Sequence, residues 1–198
     1  MSGAWEHESE VYRLATRADL PDFERMLADP EVGRWLWFTP LPEGATQGFF
    51  GPLIDQQQKQ AAAGEVPTTA VITVEDREGN FLGQGGVVAV DMSPGGFEVG
   101  FQLSRAAWGR GVGTRLGRFL CAYAITQCDA VRIQGGCLEG NHASQALLKK
   151  LGLVLEGRHP GYRLKGDERH TELVFGRLVS DLDSGAYRQV ARTVGLVT

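Results

Sequence analysis

Three glycines spaced two apart, Gly109, Gly111 and Gly113, stand just ahead of a helical pattern. Without β-carbons their backbone N–H groups can converge on one ligand, and at the positive end of a helix that ligand is most naturally a phosphate. Upstream, Phe97, Val99, Phe101 and Leu103 alternate with Glu98, Gly100 and Gln102. That is the period of a strand with one buried face, and it delivers its carboxyl end to the glycine loop. Glu98 falls on the polar side of the strand, where a carboxylate can accept a proton.

Three phosphate ligands compete for WGRGVGTRLG. A nucleoside triphosphate loop needs G-x-x-x-x-G-K-[ST], and no Lys follows these glycines. Gly111, Gly113 and Gly117 resemble a relaxed dinucleotide fingerprint with a helix behind it. However, Ser104 to Trp108 separate them from the strand, and the strands upstream are antiparallel. The third ligand is coenzyme A, with its pyrophosphate on the loop amides and its pantetheine arm along the strand end.

The elements that must position these residues follow from periodicity and turn chemistry. Val11 to Ala15 reads as a first strand, then a helix capped by Thr16 or Asp19 runs to about Ala28 and stops at Asp29-Pro30. The aromatic and turn-rich stretch from Gly33 to Phe49 reads as a loop, its Trp35, Trp37 and Phe38 expected to fill core. A helix from Thr46 to about Ala63 ends at Gly64. Strands over 68–74, 80–90 and 96–104, joined by EDREGN and SPGG, form an antiparallel meander, because connections this short cannot return a parallel strand. Leu116, Phe119, Leu120 and Tyr123 mark one apolar helix face ending near Cys128, with Gly113 and Gly117 allowing close approach. Ala130 to Cys137 then makes a parallel pair through a right-handed crossover. Asn141 caps a helix through Leu151 with Gly152 as its stop. Leu153 to Leu164 and Thr171 to Leu178 form a hairpin around KGDER, and Tyr187, Val190, Ala191 and Val194 mark a short tail helix. The expected architecture is α/β (α+β), a mixed sheet with helices on both faces. Residues 1–178 make one domain and 179–198 a tail that docks on its own domain or on a second copy, so a homodimer stays open.

In order and motifs the chain resembles the GNAT family of acyl-CoA-dependent N-acetyltransferases. The pyrophosphate pattern [Q/R]-x-x-G-x-[G/A] falls on Trp108 to Gly113, with Trp108 departing from its first position. An aromatic there, behind Glu98-Val99-Gly100-Phe101, is similar to the Rim-type branch of ribosomal-protein N-terminal acetyltransferases. A second motif, N-x-x-S followed by K-x-G-[FL], appears as Asn141 to Ser144 and Lys150 to Leu153. Two motifs on the elements they require are far more specific than either alone.

The resemblance implies acetyl-CoA as cosubstrate and direct attack of an amine on the thioester. It gives the oxyanion the backbone N–H near Leu103, and the pyrophosphate the amides of Gly109, Arg110, Gly111, Val112, Gly113 and Thr114 with Trp108 beside them. Arg110 and Arg115 are offered as charge partners. A bulky side chain at Gly113 is expected to occupy the pyrophosphate's place. Asn141 would hold the pantetheine amide, and Ser144 would protonate the leaving thiolate, since Leu148 stands where many members carry a Tyr. Glu98 is the first choice of base, with Glu172 and Tyr162 in reserve. The acceptor implied is a primary amine, on a small molecule or a protein N-terminus. The competing class is a non-catalytic acyl-CoA-binding module.

Composition narrows the field further. The formal charge of -4, with no long Lys/Arg run, argues against nucleic acid as a partner. Hydrophobic content of 42% and charged content of 22% are those of a globular domain. Cys121, Cys128 and Cys137 form no C-x-x-C pair, and the four histidines make no metal spacing, so neither a disulfide framework nor a metal is expected. No apolar stretch approaches the roughly 18 residues of a membrane span, and a cytoplasmic location is expected.

Overall fold

The turn chemistry that predicts a meander is realised in the computed structural model, which describes residues 4–7 and 9–197. Strands β3 (Ala70–Asp76), β4 (Phe81–Ala89) and β5 (Gly96–Leu103) are antiparallel neighbours. At the first turn, the Asp76 carboxylate accepts the N–H groups of Glu78 and Asn80 at 3.1 and 2.8 Å, and Gly79 takes φ of 82°. An Asx turn with a left-handed glycine needs no longer loop.

The meander is the middle of one eight-stranded sheet in the order β1-β2-β3-β4-β5-β6-β8-β7. Here β1 is Ala4–His7, β2 Glu10–Leu14, β6 Arg132–Leu138, β7 Val154–Lys165 and β8 Glu168–Leu178. Strand β6 pairs parallel with β5 and antiparallel with β8, as the crossover and the terminal hairpin require. The second hairpin strand starts earlier than the sequence suggests, so that the hairpin closes on Gly166 and Asp167 alone, and β1 is an edge strand the apolar pattern does not reveal.

Helices cover both faces. Helices α1 (Leu20–Ala28) and α3 (Ala45–Ala62), with the short α2 (Pro30–Gly33) between them, enclose a core of Phe23, Leu27, Phe50, Ile54 and Val71. Buried Gln57 of α3 fastens this layer to the sheet: its carboxamide donates to the Ala15 carbonyl (2.8 Å) and accepts the Val71 N–H (2.7 Å). On the other face α4 (Val112–Gln127) lies in the larger core, its Leu116, Phe119 and Leu120 sealed against the sheet. Helix α5 (His142–Lys150) follows β6, and the tail helix α6 (Ser184–Thr193) packs on α4.

One irregularity matters for function. Strand β5 runs beside β4 as far as Leu103, but its parallel pairing with β6 stops after Glu98↔Gln134. From Val99 to Leu103 the strands diverge, and a wedge opens between them.

Candidate active site

The glycine loop sits at the end of the diverging strand. The Trp108 indole N–H donates to the Leu103 carbonyl at 3.0 Å, pinning the loop to the strand end. Gly109 and Gly111 then adopt φ of 71° and 79°, the left-handed region that costs other residues about 1–2 kcal/mol. Gly111 is the N-cap of α4, so the chain turns straight into a 16-residue helix. Among the described residues, the backbone N–H groups from Gly109 to Gly113 find no acceptor. Successive free amides at a helix start make an anion cradle.

A buried ion pair braces this cradle. Arg115, in the first turn of α4, donates to both oxygens of Glu10 at 2.7 and 2.5 Å and to the Arg110 carbonyl at 3.0 Å. Glu10 is only 2% exposed. Arg115, expected as a charge partner of the pyrophosphate, is therefore engaged with β2 and the loop backbone. Arg110 is exposed, donating only to the Ala106 carbonyl at 3.3 Å.

Next to the cradle the wedge continues into a cleft of about 190 Å³. Glu98, Gly100 and Gln102 of β5 form one wall, Gly136 and Cys137 of β6 with Asn141 and Ser144 of α5 the other. The Asn141 side chain accepts the Ser144 N–H at 3.1 Å, the N-cap bond read from the sequence. Half-buried Cys137 lines the cleft with Ser144, and burial pushes its thiol up to about 11. That thiol stays protonated at neutral pH and is a poor nucleophile. Glu98 accepts from the Gln134 carboxamide at 3.3 Å and is otherwise exposed. The far end is roofed by Trp35, Trp37 and Phe38, and closed by Arg163 and Glu172 of the last hairpin.

The structure thus brings Glu98, Asn141 and Ser144 to one cleft, with Leu103 and Trp108 to Thr114 following along the chain from its β5 wall, and corrects four expectations. Trp35 and Trp37 are not core residues: Trp37 is 42% exposed and both line the cleft, whereas Phe38 lines the cleft and also packs against the core of the α1 and α3 layer as expected. Gly113 does not keep a phosphate site clear, because a β-carbon there would meet Leu147 and Leu103 side-chain carbons at 2.9 and 3.3 Å. Its bareness serves the packing of α4 on α5. Tyr162 is 59% exposed, with its ring against His159 and Arg163, and is not among the cleft residues. Glu172 does face the cleft but is tied to Arg163 by bonds of 2.8 and 2.5 Å. Cys137 and Arg163 were missed. Neither lies in a motif, and only the hairpin's return beside β6 brings Arg163 in.

A larger cavity of about 450 Å³, between α1, α2 and the residues around Pro40, lacks the cradle and the Asn141 and Ser144 pair. Glu98, Asn141 and Ser144 all line the smaller cleft.

The acetyltransferase (GNAT) domain family pattern matches residues 11–154, well over half of the chain and all of this machinery through α5. The chain belongs to the GNAT acetyltransferase family. As a GNAT protein it is an acetyl-CoA-dependent acyltransferase. It is 26% identical over 130 residues to the uncharacterized N-acetyltransferase p20 of Bacillus licheniformis, covering 66% of this chain and 70% of that one. In fold it is similar to Mycobacterium smegmatis RimJ in complex with CoA-disulfide, with a TM-score of 0.74 at 18% identity over 98% of this chain and 93% of that one. It is also similar to spermidine N-acetyltransferase from Vibrio cholerae in complex with CoA and spermine, with a TM-score of 0.72 at 16% identity over 88% and 98%. No helix among the described residues is long and apolar enough to cross a membrane, and no group of three or more His, Cys, Asp or Glu among them is placed to hold a metal ion.

Coenzyme A fits the GNAT residues described here on two observations. The free amides from Gly109 to Gly113 suit its pyrophosphate, and the unpaired length of β5 offers backbone groups to the amide-bearing pantetheine arm.

Proposed function

We propose that this GNAT enzyme transfers the acetyl group of acetyl-CoA to a primary amine by direct attack within the cleft. The observation that carries this reading is the convergence of Glu98, Asn141 and Ser144 on the cleft that opens where β6 stops pairing with β5. Glu98 takes the proton from the incoming ammonium, directly or through a water. The amine nitrogen bonds to the thioester carbon, and the strand-end N–H near Leu103 stabilises the charge that develops on oxygen. The C–S bond then breaks, and sulfur leaves with a proton from the Ser144 hydroxyl, which recovers one from solvent. Asn141 orients the pantetheine arm. The Rim-type motifs favour a protein N-terminus as acceptor, and the fold relative that bears spermine favours a free amine.

Acetyl-CoA at about 100 times its dissociation constant should stabilise the protein by about 2.7 kcal/mol, while NAD and ATP leave the melting temperature unchanged. Thiol release should appear with at least one amine from a panel of small amines and N-terminal peptides. Ser144→Ala should lower that rate by about 100-fold or more while preserving the thermal shift. Tight acetyl-CoA binding with no turnover of any amine would instead make this a binding module.

A further inference from the structure

The roofed end of the cleft carries its own charge logic. Glu98 and Glu172 bring two carboxylates to the cavity, and Arg163 brings one guanidinium. Arg163 is already engaged: its Nε and one terminal nitrogen donate to Glu172 Oε1, and its guanidinium carbon lies 4.6 Å from the centre of the Trp37 ring and 5.0 Å from that of Tyr162. That is within cation–π range, so this face of Trp37 already holds a cation. Glu172 is 7% exposed, and its charge is compensated inside the protein. Among the described cleft residues, Glu98, bonded to the neutral Gln134, is the carboxylate with no ion pair. Trp35, Leu36, Phe38 and Phe101 line the same cleft and are apolar.

We infer that the acceptor is a monocationic primary amine on an apolar body, and that Arg163 is the residue that excludes acceptors with a second positive charge. This rests on the proposed transfer to an amine and adds what that amine must look like. An ammonium drawn to Glu98 puts the rest of the molecule under the aromatic roof, where a second ammonium would meet Arg163. Juxtaposed like charges are a strong means of rejecting a wrong partner. The same chemistry is offered by a free arylalkylamine and by an N-terminus followed by apolar residues.

The test uses the full chain with coenzyme A bound. Calorimetric affinities are measured for phenethylamine, 1,6-diaminohexane and an apolar tripeptide amide, alongside thiol release from acetyl-CoA with each. The wild type should bind phenethylamine or the peptide amide at least about tenfold more tightly than the diamine. Arg163→Met leaves two uncompensated carboxylates and should reverse that order. Arg163→Met combined with Glu172→Gln restores a single negative charge and should restore the preference, and Arg163→Lys should keep it. The tighter of the two monocations identifies the source. A diamine bound as tightly as phenethylamine by the wild type, or a ratio indifferent to Arg163→Met, overturns the inference. Selective binding without thiol release would leave it standing and bring down the proposed transfer instead.

Discussion

Gly109 and Gly113 show how one residue type answers two physical demands within five positions. Gly109 has φ of 71° and open space where its β-carbon would be, whereas Gly113 is buried against Leu147 and Leu103. Gly109→Ala should therefore cost only about 1–2 kcal/mol, the strain of a left-handed alanine, while weakening the thermal shift given by acetyl-CoA. Gly113→Val should instead destabilise the fold by about 1–3 kcal/mol through overpacking, before any ligand is added. Melting curves with and without acetyl-CoA separate the two: equal ligand-induced shifts in wild type and Gly109→Ala would sink the cradle. At this scale the sequence was legible where a role is local. Asn141 and Ser144 share one helix start, so spacing alone pairs them. Arg115 was not legible, because its partner Glu10 is 105 residues away and a motif cannot say which charge has already found a mate.

Among elements, the tail helix α6 is the case where packing decides. Its Tyr187 and Ala191 are buried and belong to the same core as α4. The Tyr187 hydroxyl donates to the Leu151 carbonyl at 2.6 Å, at the point where α5 ends, and burial pushes its own ionisation well above the usual range. Tyr187→Phe leaves that carbonyl short of a donor and should cost about 1–3 kcal/mol in a urea titration, with the slope unchanged. An effect below about 0.5 kcal/mol would mean that water replaces the hydroxyl. The meander, the crossover and helices α1 and α3 to α6 were readable because each has its own turn, cap or stop signal, joined in α1 and α4 by an apolar face. Strand β1 has four residues, too few to show a period. Strand β7 alternates poorly because it is an edge strand exposed along most of its length. The aromatic loop misled because hydrophobicity cannot distinguish filling a core from roofing a cavity.

Over the whole molecule, distant segments are tied by charge. Arg13 on β2 binds Asp19 before α1 and Glu75 on β3, joining a helix layer to the sheet. Burial alone would raise the Asp19 carboxyl, but the Arg13 hydrogen bond and the Thr16 N–H outweigh it and hold the group below 3.8. A carboxylate lowered in this way stabilises the fold at pH above its unfolded value near 3.8, and that contribution is lost as pH falls through the lower, folded value. Stability measured by urea between pH 6 and pH 3 should fall for the wild type and fall less steeply for Asp19→Asn. Parallel slopes would assign the acid loss to other carboxylates. Such ties escape a linear reading, since they join residues that only the folded sheet makes neighbours.

The wedge between β5 and β6 has a mechanical consequence. Seven residue pairs join β4 to β5 and seven join β6 to β8, but only three join β5 to β6. The sheet is thus two plates sewn by a short seam, with α4 and α5 laid along its back. A ligand whose arm pairs with the open strand edge supplies the missing stitches. Substrate occupancy and the cohesion of the plates then become one quantity, and amide protection on both sides of the seam should rise together when acetyl-CoA is added.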